Sequence, residues 1–313
     1  MKYMRSIYMK SVSIIIVNWN GKKDTLQCLH SLFAMIKNRI HTEIVVVDNA
    51  STDDSVLVVS KQFSTVHIIK NKKNLGFTGG NNVGIMYALA HGADAVWLLN
   101  NDTYVDKYAM RALIDALTNE YVGIVGSKIY FSYGREFHDR YAEKEKGRVL
   151  WYAGGAIDWK NMYASHRGVD EVDQGQYDKR EETPFITGCS MMIKRAVFEA
   201  VGYLDDKFYL YLEDLDFSLR AKRAGFSLVY VPGSTIWHNN AGSTDTPGHG
   251  LHEYYITRNR LLVGMRYAPL RTKIALVREA VQFAFGGSHS QKQAVVDAVM
   301  GKFGNQYSWK HNH

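Results

Sequence analysis

Two short apolar runs, Val12 to Val17 and Ile44 to Val47, constrain this chain more than any other feature: each is rich in Ile and Val and stops on a polar residue, Asn18 or Asp48. Runs this short and continuous are buried on both faces, as parallel strands are. Between them Leu26, Leu29, Leu32, Phe33 and Ile36 recur at helical spacing, so the stretch reads as strand, crossover helix and parallel strand. The alternation continues with a strand at Val66 to Lys70, a helix from Gly80 to His91 closed by Gly92, a strand at Ala95 to Leu99 and a helix over Asp106 to Thr118. From Phe131 to Glu182 the periodicity weakens into Gly, charge and aromatics, which predicts an excursion or a small antiparallel region. Regularity returns with a strand at Cys189 to Ile193, a short helix to Val201, a helix from Glu213 to just before Gly225, and a strand at Ser227 to Val231. The fold class is α/β, a mainly parallel sheet with ligands at its carboxyl ends.

A chain of 313 residues, 46% of them apolar, can bury one large core with an appendage. A catalytic part over 1–245 is therefore expected, with a helical region over 246–313. Cys28 and Cys189 stand far apart and outside any CxxC pattern, which points away from a disulfide framework or a Cys-type zinc site. The opening MKYMRSIYMK has no apolar stretch, and no run of about 18 apolar residues follows. A cytoplasmic protein is the expectation. Most of the formal charge of +7 lies in the tail, where Leu251 to His313 hold nine Lys and Arg against three Asp and Glu. Such a surface suits nucleic acid, anionic lipid or an anionic substrate, and charge alone does not choose.

Chemistry-bearing residues gather at the strand ends. Val17, Asn18 and Asn20 follow the first strand, and Asp48 and Asn49 follow the second; their side-chain oxygens can accept from a base or a ribose, although turns and helix caps use the same residue types. The stretch LGFTGGNNVG carries Gly79, Asn81 and Asn82 into a helix N-terminus, a setting that favours a diphosphate. It is not a GxGxxG fingerprint and does not follow the first strand, so hydride transfer is not indicated. In WLLNNDT, Asn100 and Asp102 would share one side of a continuing strand and face a hard cation, with Asn101 between them. The segment FYLYLEDLD sets Glu213, Asp214 and Asp216 behind an aromatic wall, a setting that raises proton affinity, as a general base requires; an acidic helix opening is the plainer alternative. His238 ends a further apolar stretch, ahead of a Gly-Ser-Thr loop.

In order and spacing, VSIIIVNWNG, EIVVVDNASTDDS, NLGFTGGNNVG, WLLNNDT, ITGCSMMIKRAVFEAVGYLDDKFYLYLEDLDFSLRAKRAGF and IWH resemble glycosyltransferase family 2, in its rhamnosyltransferase and galactofuranosyltransferase-like branch. The resemblance spans Val12 to Ser243. It implies a GT-A fold, a Rossmann-like sandwich with the nucleotide-sugar half over about 11–125 and the acceptor half over about 126–245. By that match Asn18 and Asp48 contact base or ribose, and Asn49, Asn81 and Asn82 lie nearby. Asp102 and His238 hold a divalent cation, Mg²⁺ or Mn²⁺, and Asp214 is the general base of an inverting transfer. The family's first metal-motif Asp is Asn100 here, one carboxylate fewer. The implied donor is a nucleotide diphosphate sugar, first of all dTDP-rhamnose, and the acceptor a saccharide or lipid-linked saccharide.

Within the tail, Arg258 and Arg260 are candidates to neutralise a diphosphate of donor or acceptor, and Asp216, ahead of the tail, is a candidate for the same acceptor or diphosphate site. Arg266, Arg271, Lys273 and Arg278 interleave with apolar residues as in a surface-bound amphipathic helix, so peripheral membrane contact is expected, with a homodimer interface as the alternative and no nucleic-acid partner. The rivals for the whole chain are a sugar nucleotidyltransferase, which usually carries a basic Gly-rich loop after its first strand where this chain has Asn18, Trp19, Asn20 and Gly21, and a non-catalytic carbohydrate-binding relative of the same fold.

Overall fold

The computed structural model describes residues 9–35, 40–239 and 250–307. Ile36, the Gly-Ser-Thr loop at 242–244 and the 245/246 boundary lie outside the described residues. The chain opens with β1 (Ser11–Asn18), α1 (Lys22–Ala34), β2 (His41–Asp48), α2 (Ser55–Gln62), β3 (His67–Lys70), α3 (Gly76–Ala90) and β4 (Ala95–Leu99). Strands β3, β2, β1 and β4 lie side by side, all parallel, and the register sets Asn18 directly beside Asp48. Two runs that end on polar residues thus deliver those residues to one sheet edge.

Next come β5 (Thr103–Val105), α4 (Ala109–Leu117), β6 (Val122–Phe131), β7 (Leu150–Tyr152), β8 (Gly155–Asp158), β9 (Tyr163–His166), β10 (Glu181–Glu182) and β11 (Ser190–Lys194). After α5 (Arg195–Val201) and α6 (Glu213–Arg223), β12 (Ser227–His238) is the last strand among the described residues. The full order is β10-β12-β6-β11-β4-β1-β2-β3. β11 runs antiparallel to both β4 and β6, whereas β6 and β12 are parallel, so the sheet is mostly parallel with an antiparallel insertion. The region of weak periodicity supplies β7 against β6 and the separate antiparallel pair β8-β9.

Strand alternation divides the core into two. Ile14 and Ile16 face α1 through Cys28, Leu29 and Leu32, and Ile15 packs on the opposite side with Ile85 and Ala88 of α3. Glycine makes that second contact close. A Cβ on Gly84 would stand 2.3 Å from Ile15, and one on Gly80 2.8 Å from both Asn49 and Val17, so these glycines serve helix-to-sheet packing. Helix α3 also begins at Gly76, a turn earlier than its apolar pattern indicates.

The tail forms α7 (Gly250–Tyr267), α8 (Leu270–Gly286) and α9 (His289–Val299), the last opened by a capping box between Ser288 and Gln291. Val263, Ala268 and Leu276 share a third apolar cluster with Met162, Phe185, Phe208 and Leu215, so these helices rest directly against the segment that leads into α6.

Candidate functional site

The first wall of the site is a polar net at the ends of β1 and β2. Asn18 Nδ2 donates to Asp48 Oδ1 at 3.1 Å and to Ser55 Oγ at 2.9 Å, while Asn18 Oδ1 accepts from Thr25 Oγ1 at 2.8 Å and from the Gly21 amide at 3.2 Å. Ser51 donates its amide to Asp48 Oδ2 at 3.2 Å. Asn20 and Ala50 take left-handed φ values of 51° and 62°, and Asn20 Oδ1 accepts from the Thr52 amide at 2.7 Å. Opposite ends of two loops are thereby locked together. Asn49 is buried, its Nδ2 donating to the Gly76 carbonyl at 2.9 Å, which pins the N-terminus of α3 to the end of β2.

The second wall comes from the turn after β4. The strand ends at Leu99, so Asn100 and Asp102 lie in a turn and not on one face of a strand, a correction to the alternation expected there. The turn is fixed by the Asn100 amide donating to the Cys189 carbonyl at 3.0 Å, by Thr103 Oγ1 donating to the Asn100 carbonyl at 2.7 Å, and by Asn101 Nδ2 donating to Thr25 at 3.1 Å. Pairing of β12 with β5 then brings His238 opposite Thr103, and His238 Nε2 stands 3.1 Å from Asp102 Oδ1. Two residues distant in sequence thus meet. The His238 ring lies edge-on to Trp151 at 4.6 Å, and Trp151 meets His166 at 4.3 Å. Burial pushes His166 down to about 4, so this second ring is neutral near neutral pH. Asn239 closes the corner, its amide donating to the Asp102 carbonyl at 2.7 Å and its Nδ2 to Asp24 at 2.9 Å.

The third wall is the start of α6. Asp214 is half-buried and held by two amides, Gly188 to Oδ2 at 2.9 Å and Leu215 to Oδ1 at 2.8 Å. Glu213 is buried beside it. Burial raises the Asp214 carboxyl above its ordinary value, against the pull of the two amides; burial and then the charge of Asp214 raise Glu213 well above its own. The turn at Gly188 and Cys189 joins the walls: Gly188 holds Asp214, the Cys189 carbonyl holds Asn100, and the Cys189 thiol feels both Asp102 and Asp214. Both cysteines are free and buried, and burial pushes the Cys28 thiol up to about 12. They pack beneath the site without offering a nucleophile.

Backbone strain concentrates just before the acid pair. Tyr209, Tyr211 and Leu212 have φ values of 64°, 69° and 66°, a region non-glycine residues adopt at a cost of about 1–3 kcal/mol each. Asn259 Nδ2 reaches the carbonyls of Phe208, Leu210 and Tyr211 at 3.1, 2.8 and 2.8 Å. Arg258 donates to Lys207, Phe208 and Gly304 carbonyls at 2.9, 2.9 and 2.8 Å and is fully buried. This corrects the diphosphate role expected for Arg258: its guanidinium is consumed in holding the strained loop.

Asp216 is likewise interior, accepting from Arg220 at 2.8 Å, Arg266 at 2.8 Å and Tyr267 at 2.7 Å, and so is a structural ion-pair centre. Arg266 accordingly belongs to that pair and not to a surface-bound helix. Arg260 pairs with Glu279 at 2.7 Å and donates to the Asn161 carbonyl at 2.7 Å, away from the acid pair. Asn82 ties α3 to the segment before α6, donating to the Leu204 carbonyl at 2.9 Å and Asp206 at 2.8 Å, and Asn81 donates back to Phe77 at 2.9 Å. Gly79 faces Leu75 of its own helix.

Buried side-chain atoms without a hydrogen-bond partner among the described residues include Thr78 Oγ1, Glu213 Oε2 and His238 Nδ1, from α3, α6 and β12 respectively. Among the described residues no three His, Cys, Asp or Glu side chains gather as a metal set; Asp102 and His238 meet as a pair.

Because Glu213 is neutral in the fold only while protonated, its contribution to stability is present at low pH and lost as pH rises through its raised pKa. Glu213→Gln is expected to raise the melting temperature at neutral pH, with the gain shrinking towards pH 4; thermal unfolding across that range checks it. A gain that grows on acidification would contradict the burial argument.

A family model described as glycosyl transferase family 2 matches residues 13–202, and one described as glycosyl transferase family group 2 matches 149–291. The chain is 27% identical over 252 residues to the low-salt glycan biosynthesis hexosyltransferase Agl10 of Haloferax volcanii, covering 80% of this chain and 74% of that one. It is 23% identical to the dTDP-rhamnosyl transferase RfbF of Shigella flexneri, over 87% and 85% of the two chains. A similar 23% relates it to the N-acetylglucosaminyl-diphospho-decaprenol L-rhamnosyltransferase of Mycobacterium tuberculosis, over 64% and 67%. Among solved structures, GalNAc-T7 with UDP, GalNAc and Mn²⁺ superposes with a TM-score of 0.65 at 17% identity over 94% of this chain, which spans 55% of that one. The mannosyltransferase PcManGT of Pyrobaculum calidifontis, with GDP-Man and Mn²⁺, gives 0.55 at 15% identity over 95% and 76%.

Proposed function

The chain belongs to glycosyl transferase family 2, and on that premise we propose that it transfers a sugar from a nucleotide diphosphate sugar to an acceptor hydroxyl with inversion of configuration. The observation that carries the reading is the meeting of Asp102 with His238 at 3.1 Å, joined to Asp214 through the turn at Gly188 and Cys189. Membership in this family sets aside the nucleotidyltransferase alternative.

In this reading residues of about 11–125 form the donor half, with Asn18 and Asp48 as base and ribose contacts, and about 126–245 form the acceptor half. Asp102 and His238 would hold a divalent ion. A carboxylate and an imidazole suit Mn²⁺ or Mg²⁺ if diphosphate oxygens complete the set, and two of the similar solved structures contain Mn²⁺. Such an ion supplies charge neutralisation to the leaving diphosphate. Asp214 takes the proton of the acceptor hydroxyl as its oxygen attacks the anomeric carbon from the face opposite the diphosphate. Glu213, more deeply buried, couples its titration to that of Asp214.

dTDP-rhamnose is the donor we favour, because two relatives of comparable length are named as rhamnosyltransferases. A panel of nucleotide sugars with Mn²⁺ or Mg²⁺, read by thermal shift and donor hydrolysis, tests the proposal. A bound donor at about 100 times its Kd stabilises by roughly 2.7 kcal/mol. The largest stabilisation is expected from dTDP-rhamnose and is expected to vanish in Asp102→Ala. A protein that neither responds to nor hydrolyses any member of the panel would overturn the reading.

A further inference from the structure

Helix α8 is turned inside out for a helix on a protein surface. Its inner face makes the contacts to the rest of the fold: Leu276 lies in the third apolar cluster, Thr272 Oγ1 donates to the Trp159 carbonyl at 2.8 Å, and Glu279 pairs with Arg260. The outer face should then be polar. Instead Leu270, Ile274, Val277, Val281 and Phe285 recur along it at intervals of three and four, with Ala284 beside them. Leu270 is 74% exposed and Phe285 84%, with the three between them near half. At 3.6 residues per turn this is one stripe about 100° wide, running most of a helix about 25 Å long.

The charges sit on the borders of the stripe. Arg271 and Arg278, seven residues apart, fall on one flank, and Lys273 falls on the other. The one acid of the helix, Glu279, faces inward to Arg260. An outward apolar stripe between cationic borders, with no acid beside it, is complementary to an anionic bilayer surface: the stripe enters the acyl boundary while the long basic side chains reach back to phosphates. It is not complementary to itself. A second copy laid stripe to stripe would bring two sets of Arg and Lys together with no exposed acid on the helix to receive them.

We propose that α8 is an interfacial helix that seats the protein on the surface of an anionic membrane. The helix lies along the surface and does not cross it, since no helix among the described residues is long and apolar enough to span a bilayer. The inference is independent of the donor chemistry, because vesicle binding needs neither nucleotide nor acceptor.

The test is flotation of the full chain with vesicles of pure phosphatidylcholine and with vesicles in which about a third is phosphatidylglycerol. Binding to the anionic vesicles is expected, weakening in high salt, with little to pure phosphatidylcholine. Val281→Asp with Phe285→Asp should reduce anionic-vesicle binding about tenfold or more while leaving the melting temperature and donor hydrolysis unchanged, since both side chains face outward. Arg271→Gln with Arg278→Gln should lower binding and its salt dependence together. Failure of the wild-type chain to float with anionic vesicles, or equal flotation of the Asp variant, overturns the proposal. So does a lipid-free wild-type dimer that the Asp variant converts to monomer, which would give the stripe to a second copy. A wild-type chain that floats with anionic vesicles but hydrolyses no nucleotide sugar would count against the transferase reading alone.

Discussion

Asp214→Asn is expected to lower kcat for transfer by about 10²–10⁴-fold while leaving donor binding within a few-fold of wild type. The size follows from what the substitution removes. An amide of the same shape keeps one oxygen, enough for the Gly188 amide that binds Oδ2 or the Leu215 amide that binds Oδ1 but not for both, and it cannot accept the acceptor's proton. The loss belongs to the chemical step. In the proposed function donor affinity would rest on Asn18, Asp48, Asp102 and His238, and it is measured by the thermal shift with nucleotide sugar alone. Equal kinetics in the two proteins would remove Asp214 from its proposed role.

The pH profile gives a second reading of the same group. Burial raises the Asp214 carboxyl, and a base acts only when ionised, so wild-type kcat is expected to fall on acidification at a pH above the usual range for an aspartate. The coupled, still higher titration of Glu213 broadens that limb, and Glu213→Gln should narrow it towards a single ionisation. A profile unchanged by Glu213→Gln would contradict this coupling.

Sequence reading reached the parallel strands β3, β2, β1 and β4 because that part of the sheet obeys local rules. Buried parallel strands are continuous apolar runs, their polar ends are the residues that face the ligand edge, and parallel register sets Asn18 beside Asp48 without further information. Among the elements that escaped it are α2 and β6. α2 is written SVLVVSKQ, a run whose Val content reads as strand although its loop geometry makes it a helix. β6, VGIVGSKIYF, is buried throughout but interrupted by Gly123, Gly126 and Ser127-Lys128; the glycines are there because Cβ atoms would meet Val197 or Phe226 and Ile186. These are tertiary demands that no local period records.

The site shows the same division. Asp102 and His238 meet only because β12 pairs with β5, so the sequence can nominate each but not their contact. Asn239, Trp151 and Gly188 carry no local signal at all, since their work is to hold other residues. Arg258 and Asp216 were misassigned for a related reason. A charged residue in a helix reads as surface and ligand-facing, and only burial reveals that its partners are backbone carbonyls or other buried charges.

That correction leads to the second large effect. Asn259→Ala is expected to destabilise the fold by about 1–3 kcal/mol, by leaving the Phe208, Leu210 and Tyr211 carbonyls short of a donor. Its effect on transfer should be larger than stability alone requires. Those carbonyls belong to the left-handed stretch at Tyr209, Tyr211 and Leu212 that leads directly into Glu213 and Asp214, and strained backbone persists only where its surroundings over-determine it. Relaxation of the stretch by about 1 Å would cost kcat about 10²-fold through misplacement of the base. Because Asn259 lies outside the donor walls, KM for the nucleotide sugar should stay near wild type while kcat falls in protein that is still folded at the assay temperature. Asn259→Gln, which keeps the amide but misplaces it, should recover stability better than it recovers kcat. A variant that loses stability but keeps full kcat would show that the loop holds its shape unaided, and would reduce the Arg258–Asn259 pair to packing.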